Sequence, residues 1–331
     1  MTTKSSAFAE DERRNAAAVV ELARRRPPDE AWRAEVERRW ADVERALRWF
    51  AAQGDADEGL RLGNALFAYW HQTNRAVEGR VWLERLARLG PAGRTARRAF
   101  ALDFAGLLAA RTGDVVGALP LFQEALQIRR ELAASDASRG ARVSLWQSLM
   151  HAGNTLAAGP RDYAAAQQHL DEGLAVAREL GDRSLAGIAL ANLARVALDQ
   201  GDHDAAAALA RESLAMARET EGMDPQGIIP ALACLAGVAA AQGASRRALR
   251  LAGAAAGLQR ASGAPVSVPV RQQIERWIAP ARLALDEHDA AAAWREGEAM
   301  PLPELLAYAL ATAPVSTGRK LAPGSYGPLD R

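Results

Sequence analysis

The sequence predicts an all-α fold: a right-handed solenoid of about five helical hairpins with helical caps at both ends. Three observations lead there. Apolar residues make up 49% of the chain but aromatics only 5%. The apolar share is mostly Ala and Leu, which head the helix-propensity scale, whereas strands draw on β-branched and aromatic residues. A block of polar turn, small residue and apolar helix also recurs, as in "ARTGDVVGALPLFQEALQI" from Ala110, "GPRDYAAAQQHLDEGLAVA" from Gly159, "DQGDHDAAAALARESLAMA" from Asp199 and "AQGASRRALRLAGAAAGL" from Ala241. Its turns align at Gly113, Arg161, Gly201 and Gly243, spaced by 48, 40 and 42 residues, with a weaker copy at Asn74 a further 39 upstream. Periods of this size signal stacked helical repeats. Finally, the segment before each turn is itself helical. Leu190, Leu193, Ala194 and Ala197 recur at three, four and seven, one face of an α-helix.

The elements follow in chain order. Residues 1–30 are an N-terminal segment, flexible or helical: Phe8–Arg26 has the composition of a helix, and Pro27 and Pro28 punctuate it, proline being suited to open the next one. Residues 31–59 read as a capping helix, with Trp32, Val36, Trp40, Val43, Leu47 and Phe50 at three- and four-residue steps. That stripe would cover the open apolar face of the first repeat. Residues 60–262 form the repeat array. One hairpin cannot bury its apolar face alone; stacking several does, and the end units need caps. "GAPVSVPV" from Gly263 breaks the array, and residues 263–311 form the C-terminal cap, anchored by Trp277 and Trp294. Residues 312–331 are rich in Pro and Gly and read as a disordered tail.

Composition excludes several functions. Formal net charge is +1, with 41 basic and 40 acidic residues interspersed, so no basic stripe for nucleic acid is evident. The single cysteine, Cys234, excludes an intramolecular disulfide and a multi-cysteine zinc site; it reads as a small packed group. No apolar run reaches the ~20 residues of a membrane helix, and the N-terminus lacks a signal core. A cytoplasmic location is therefore expected, with no membrane partner.

Chemistry is sparse. The five histidines show no zinc spacing. "GDHD" at 201–204 and "DEHD" at 286–289 place acids around an imidazole, yet consecutive side chains diverge, and each cluster stands just before a helix. There an Asp accepts hydrogen bonds from free backbone N–H groups, so Asp202 or Asp204 is expected to cap the helix that follows. No phosphate loop and no G-x-S-x-G elbow occurs. No catalytic residue, metal or cofactor is expected, and the chain reads as a non-enzyme. An active site in the groove, using Asp103 or Arg195, is the rival reading.

These blocks resemble the tetratricopeptide repeat. The family motif has a small residue in the first helix, Gly-Asp-aromatic at the turn and Ala twice in the second helix. Here those are Gly106, Gly113-Asp114, Ala118 and Ala125; Ala194, Gly201-Asp202-His203, Ala206 and Ser213; and Gly153, Asp162-Tyr163, Ala166 and Gly173, the last copy with one extra residue and a Gly159-Pro160 break. The periods exceed the usual ~34. The ends, Glu35–Leu86 and Leu249–Ala311, are similar to the repeat region of large bacterial transcriptional regulators, relatives of the maltose-regulon activator and of actinobacterial antibiotic regulators. Those proteins also carry nucleotide-binding and DNA-binding domains. Neither motif is present here, so ATP hydrolysis and DNA binding are not carried over. The resemblance implies an interaction or effector-sensing module of a regulatory system, taking a protein, a peptide or a small effector. The alternative is a part acting in trans with an ATP-binding activator.

In that family the first helix of each repeat lines a concave groove, at positions about ten, six and three before the turn. Carried over, these are Asn64, Ala68 and His71; Asp103, Leu107 and Ala110; Met150, Asn154 and Ala157; and Ala191, Arg195 and Leu198 with Asp199 beside them. A fifth set, Ala233, Gly237 and Ala240, is apolar and suits a helix packed against it. The expected ligand residues are thus Asn64, His71, Asp103, Met150, Asn154, Arg195 and Asp199. Arg195 leads them, because a guanidinium fork suits carboxylates.

Overall fold

The computed structural model describes residues 2–25, 29–89, 93–218, 225–262 and 268–311, and among these every regular element is an α-helix. The expected tail at 312–331 lies outside the described residues. Five hairpins form the body: α4 (Ala56–Gln72) with α5 (Ala76–Ala87), α6 (Ala96–Arg111) with α7 (Val115–Ser135), α8 (Arg139–Ala158) with α9 (Tyr163–Glu179), α10 (Arg183–Asp199) with α11 (His203–Arg218), and α12 (Pro225–Ala241) with α13 (Ser245–Ser262).

The turns obey the local chemistry of their residues. Gly113, Gly201 and Gly243 take left-handed φ of 91°, 82° and 74°, and Arg161 takes 57° at the equivalent place. A left-handed residue ends a helix by returning backbone N–H groups to the last carbonyls: Asp114 N–H reaches Ala109 O and Asp202 N–H reaches Ala197 O. In the third hairpin Asp162 N–H reaches one residue further back, to Leu156 O, which absorbs the extra residue. The turn at Asn74 differs, with Arg75 at φ −99° preceding α5. The acid after each turn then caps the next helix: Asp114 accepts from Gly117 N–H, Asp162 from Ala165 N–H and Asp202 from Ala205 N–H. Small residues set how closely paired helices approach. A Cβ on Gly106 would stand 2.6 Å from the Phe122 ring, and one on Gly153 2.9 Å from Leu170.

Stacking builds two layers. Consecutive first helices, α4, α6, α8, α10 and α12, pack directly on one another, whereas consecutive second helices from α5 through α7, α9 and α11 to α13 have at most marginal contact with one another. The closer-spaced layer lies inside the curve, so the first helices line the concave face. Apolar side chains fill the space between the layers in three successive clusters.

The ends depart from the simple expectation. Segment 31–59 holds α2 (Glu30–Arg38), α3 (Trp40–Gln53) and the first turn of α4, with the chain interrupted at Arg39. Its aromatic stripe is buried as drawn from the sequence. It packs against a further helix, α1 (Thr2–Arg24), which buries Val19 and Leu22 and accepts the Trp32 indole N–H at Leu22 O, 2.9 Å away. At the other end, α14 (Val268–Leu283) packs on α12 as the next first helix would. α15 (Glu287–Glu298) crosses α13, and α16 (Leu302–Leu310) reaches α11. The α13–α15 crossing is glycine-built: a Cβ on Gly253 would lie 2.2 Å from Trp294 O, and one on Gly297 1.9 Å from Arg250 O. None of the described helices is long and apolar enough to cross a membrane.

Candidate functional site

The half-buried side chains of the first helices mark the groove. On α10 they include Ile188, Asn192, Arg195 and Asp199; on α8 Gln147, His151 and Asn154; on α6 Phe100, Phe104, Leu107, Ala110 and Arg111; and on α4 Asn64, Phe67, Ala68 and His71. On α8 and α10 this set is one residue out of phase with the inherited positions, except in the middle of each helix; on α6 Asp103 alone is displaced, and on α4 Asn64, Ala68 and His71 are half-buried as carried over. Ala191, Met150 and Asp103 are buried against the second helices, and their successors Asn192, His151 and Phe104 face the groove. One residue is about 100° of helix rotation, enough to carry a side chain from groove to interior.

Two expected ligand residues are therefore structural. Met150 is 4% exposed and fills the space above Gly173, where a Cβ would stand closer than van der Waals contact to its methyl. Asp103, 2% exposed, is salt-bridged to the equally buried Arg129 Nη2 of α7 at 2.7 Å and accepts from Ser148 Oγ at 3.0 Å. Arg129 also donates to Ser144 O and lies 4.4 Å above the Phe100 ring. Burial lowers the Arg129 pKa and the Asp103 charge opposes that. The pair ties the two layers together, so Asp103 does not serve as an exposed acid.

Near α4 and α6 the groove is aromatic. Phe67 and Phe104 stack with ring centroids 4.0 Å apart and planes 11° from parallel, and His71 lies 5.3 Å from Phe67. Burial lowers the His71 pKa, and the Arg111 charge adds to that. Asn64 donates to Arg97 O at 2.9 Å while its Oδ1 has no partner. Arg111 Nη2 donates to Thr73 O at 2.6 Å and its Nε–H has none. In the centre, His151 Nδ1 lies 3.6 Å from Asp103 Oδ1, too far to hydrogen-bond, and is also unpartnered.

Asn154, Arg195 and Asp199 do come together. Arg195 Nη2 donates to Asn154 Oδ1 at 2.8 Å, the one hydrogen bond its guanidinium makes among the described residues. Asp199, one helical turn on, is 3.9 Å from Arg195 Nη1. Its oxygens are taken from α14: Oδ1 by the Trp277 indole N–H at 3.0 Å and Oδ2 by the Gln273 amide at 2.5 Å. Burial pushes the Arg195 pKa down, and Asp199 only partly offsets it. Sequence reasoning placed Trp277 in the cap and passed over Gln273, His151, Asn192 and Arg111. The signal for Gln273 and Trp277 is Gly237: the small face of α12 lets α14 ride close, with the Trp277 Cβ 3.1 Å from where a Gly237 Cβ would stand.

The other polar clusters offer less. Asp286, His288 and Asp289 place ligand atoms within 4.8 Å of one another, but Asp286 is the N-cap of α15 and accepts from Asp289 N–H at 2.8 Å. The Cys234 thiol is fully buried and its pKa is pushed up to about 12, so it stays protonated.

Part of the chain is recognisable by comparison with known proteins. Residues 149–219 match the tetratricopeptide repeat family model. No curated protein matches the sequence. Among solved structures, BtubC (BKLC) from P. vanneervenii shares 18% identity over 78% of this chain and 93% of its own, with a TM-score of 0.45. A single-residue variant of the kinesin light chain nearly identical TPR-like repeats of Podosopora anserina shares 18% identity over 62% of this chain and 96% of its own, with a TM-score of 0.47.

Proposed function

We propose that this chain is a non-enzymatic binding module of a bacterial regulatory system, and that its groove takes an acidic segment of a protein partner. The observation that carries this reading is Arg195. A guanidinium has five N–H donors, and this one, with a side chain only 14% exposed, makes a single hydrogen bond. Its remaining donors are not among the buried atoms that lack a partner and so still reach water, and a ligand carboxylate would replace that water with a two-pronged, charge-assisted contact. Nearby acids do not compete for such a ligand site: Asp103 is neutralised by Arg129 and Asp199 is held by α14. Arg111, with its free Nε–H, gives the other end of the groove the same sign, and the Phe67–Phe104 stack gives it an apolar floor.

The test uses an acetylated, fluorescein-labelled hexaglutamate peptide, with binding read by anisotropy at low salt. The wild-type protein is expected to bind it, and Arg195→Ala to weaken binding about tenfold, the size of one lost charge-assisted bond. Equal binding by the two proteins would sink the assignment. The regulatory setting rests on the resemblance of the chain's ends. Partners retrieved from the native cell by wild type and lost by the Asn154→Ala/Arg195→Ala variant would support it.

A further inference from the structure

We propose that helix α14 is a working part of this binding site: Trp277 and Gln273 hold the Asp199 carboxylate away from Arg195 and so keep the guanidinium open to a ligand. The inference rests on the groove reading above and assigns the C-terminal cap a role beyond closing the solenoid.

Arg195 and Asp199 are four residues apart on α10, the spacing at which side chains of opposite charge meet along a helix. They do not close. Their nearest nitrogen and oxygen are 3.9 Å apart, while each Asp199 oxygen accepts a shorter hydrogen bond from α14. Asp199 is itself largely buried, with a side chain 13% exposed. Without the two donors of α14, its remaining neighbouring donor is Arg195, and an unpaired carboxylate in that place is costly. The pair would close, fill guanidinium donors and cancel the charge that attracts the ligand. Docking of α14 and capture of an anion at Arg195 are therefore coupled with positive sign, and by linkage each strengthens the other. Geometry makes the arrangement possible at one place. Gly237 lets α14 approach α12 closely enough for an indole to reach across to α10. Of the other groups that face Arg195, Tyr163 stands on α9 and the Cys234 thiol, kept protonated by burial, stands on α12.

Two measurements test the inference. With the hexaglutamate peptide, Trp277→Phe/Gln273→Leu, which keeps an aromatic ring at 277 and about the same volume at 273 but removes both donors, is expected to bind about tenfold more weakly than wild type. Adding Asp199→Asn to that variant removes the competitor and should restore binding to within about twofold, a rescue that no merely structural role of α14 would give. Wild-type affinity in the donor-less variant, or failure of the rescue, overturns the inference. The second measurement needs no ligand. A double-mutant cycle of Arg195→Ala and Asp199→Asn, read by urea unfolding, should show a modest coupling in the wild-type background, where the charges stand 3.9 Å apart. The coupling should grow by about threefold or more in the folding equilibrium when Trp277→Phe/Gln273→Leu is present. A coupling of the same size in both backgrounds overturns the inference. If the peptide binds no variant, wild type included, while the cycle behaves as stated, the groove reading fails and the α14 latch stands.

Discussion

Asp103 shows how much depends on one carboxylate. It faces Arg129 across the two layers, both side chains all but fully buried. Breaking such a pair from one side strands a charge in the interior and costs about 3–5 kcal/mol. Asp103→Ala is expected to lose stability on that scale in urea unfolding. Asp103→Leu/Arg129→Met, which removes both charges, should lose much less. A second residue-scale prediction concerns pH. Burial and Arg111 hold the His71 pKa below the ordinary imidazole value of 6.5, and burial with Arg130 does the same to His169. The unfolded chain then binds protons more readily than the folded one. The stabilisation is complete above pH 6.5 and is lost as pH falls below it. The urea midpoint should fall between pH 7.5 and about 5.5. His71→Gln should flatten that slope, while an unchanged slope would show that His71 is not one of its sources.

At the scale of elements, the hairpins were legible in the sequence and their rotation was not. Turns declare themselves because a left-handed residue is costly for anything but glycine, and Gly113, Gly201 and Gly243 all stand at such turns. Even Arg161 was placed by alignment with them. Rotation is harder to read in helices where Ala occupies several faces. On α10, Ala189, Ala191, Ala194 and Ala197 are all buried, so the apolar stripe is too broad to fix the groove to within one residue. Hence Met150 and Asp103 were expected in the groove, and His151 and Phe104 occupy it. The crossing of α15 over α13 was likewise invisible, since Gly253 and Gly297 looked like ordinary residues of Ala-rich helices. That crossing carries the third prediction. Gly297→Ala forces a methyl into the Arg250 carbonyl and should cost about 1–3 kcal/mol or more, the usual penalty of overpacking. Hydrogen exchange should show α15 and α16 losing protection before α4–α9, and uniform loss would mean that the ends and the body unfold as one unit.

For the whole molecule, the unequal spacing of the layers has a mechanical consequence. The inner helices touch through apolar side chains, buried polar links such as Ser148 to Asp103 and Arg195 to Asn154, and the exposed pair Arg97 to Asp57, while the links between successive outer helices are charged rungs: Arg80 to Asp114 at the start of α7, Arg130 to Glu172, and Arg178 to Glu212. Each rung is at least partly open to water, so salt screens it, over a Debye length that shrinks from about 10 Å at 0.1 M to about 3 Å at 1 M. The apolar and buried polar contacts of the inner layer are not weakened in that way. Raising salt should let the outer coil spread while the inner one holds, tightening the curvature. Small-angle scattering should record a change in the radius of gyration between those salt concentrations, and Glu172→Gln/Glu212→Gln should show part of that change already at low salt. The chain would then act as a spring with one stiff and one compliant edge, its curvature set by the ionic strength of its surroundings.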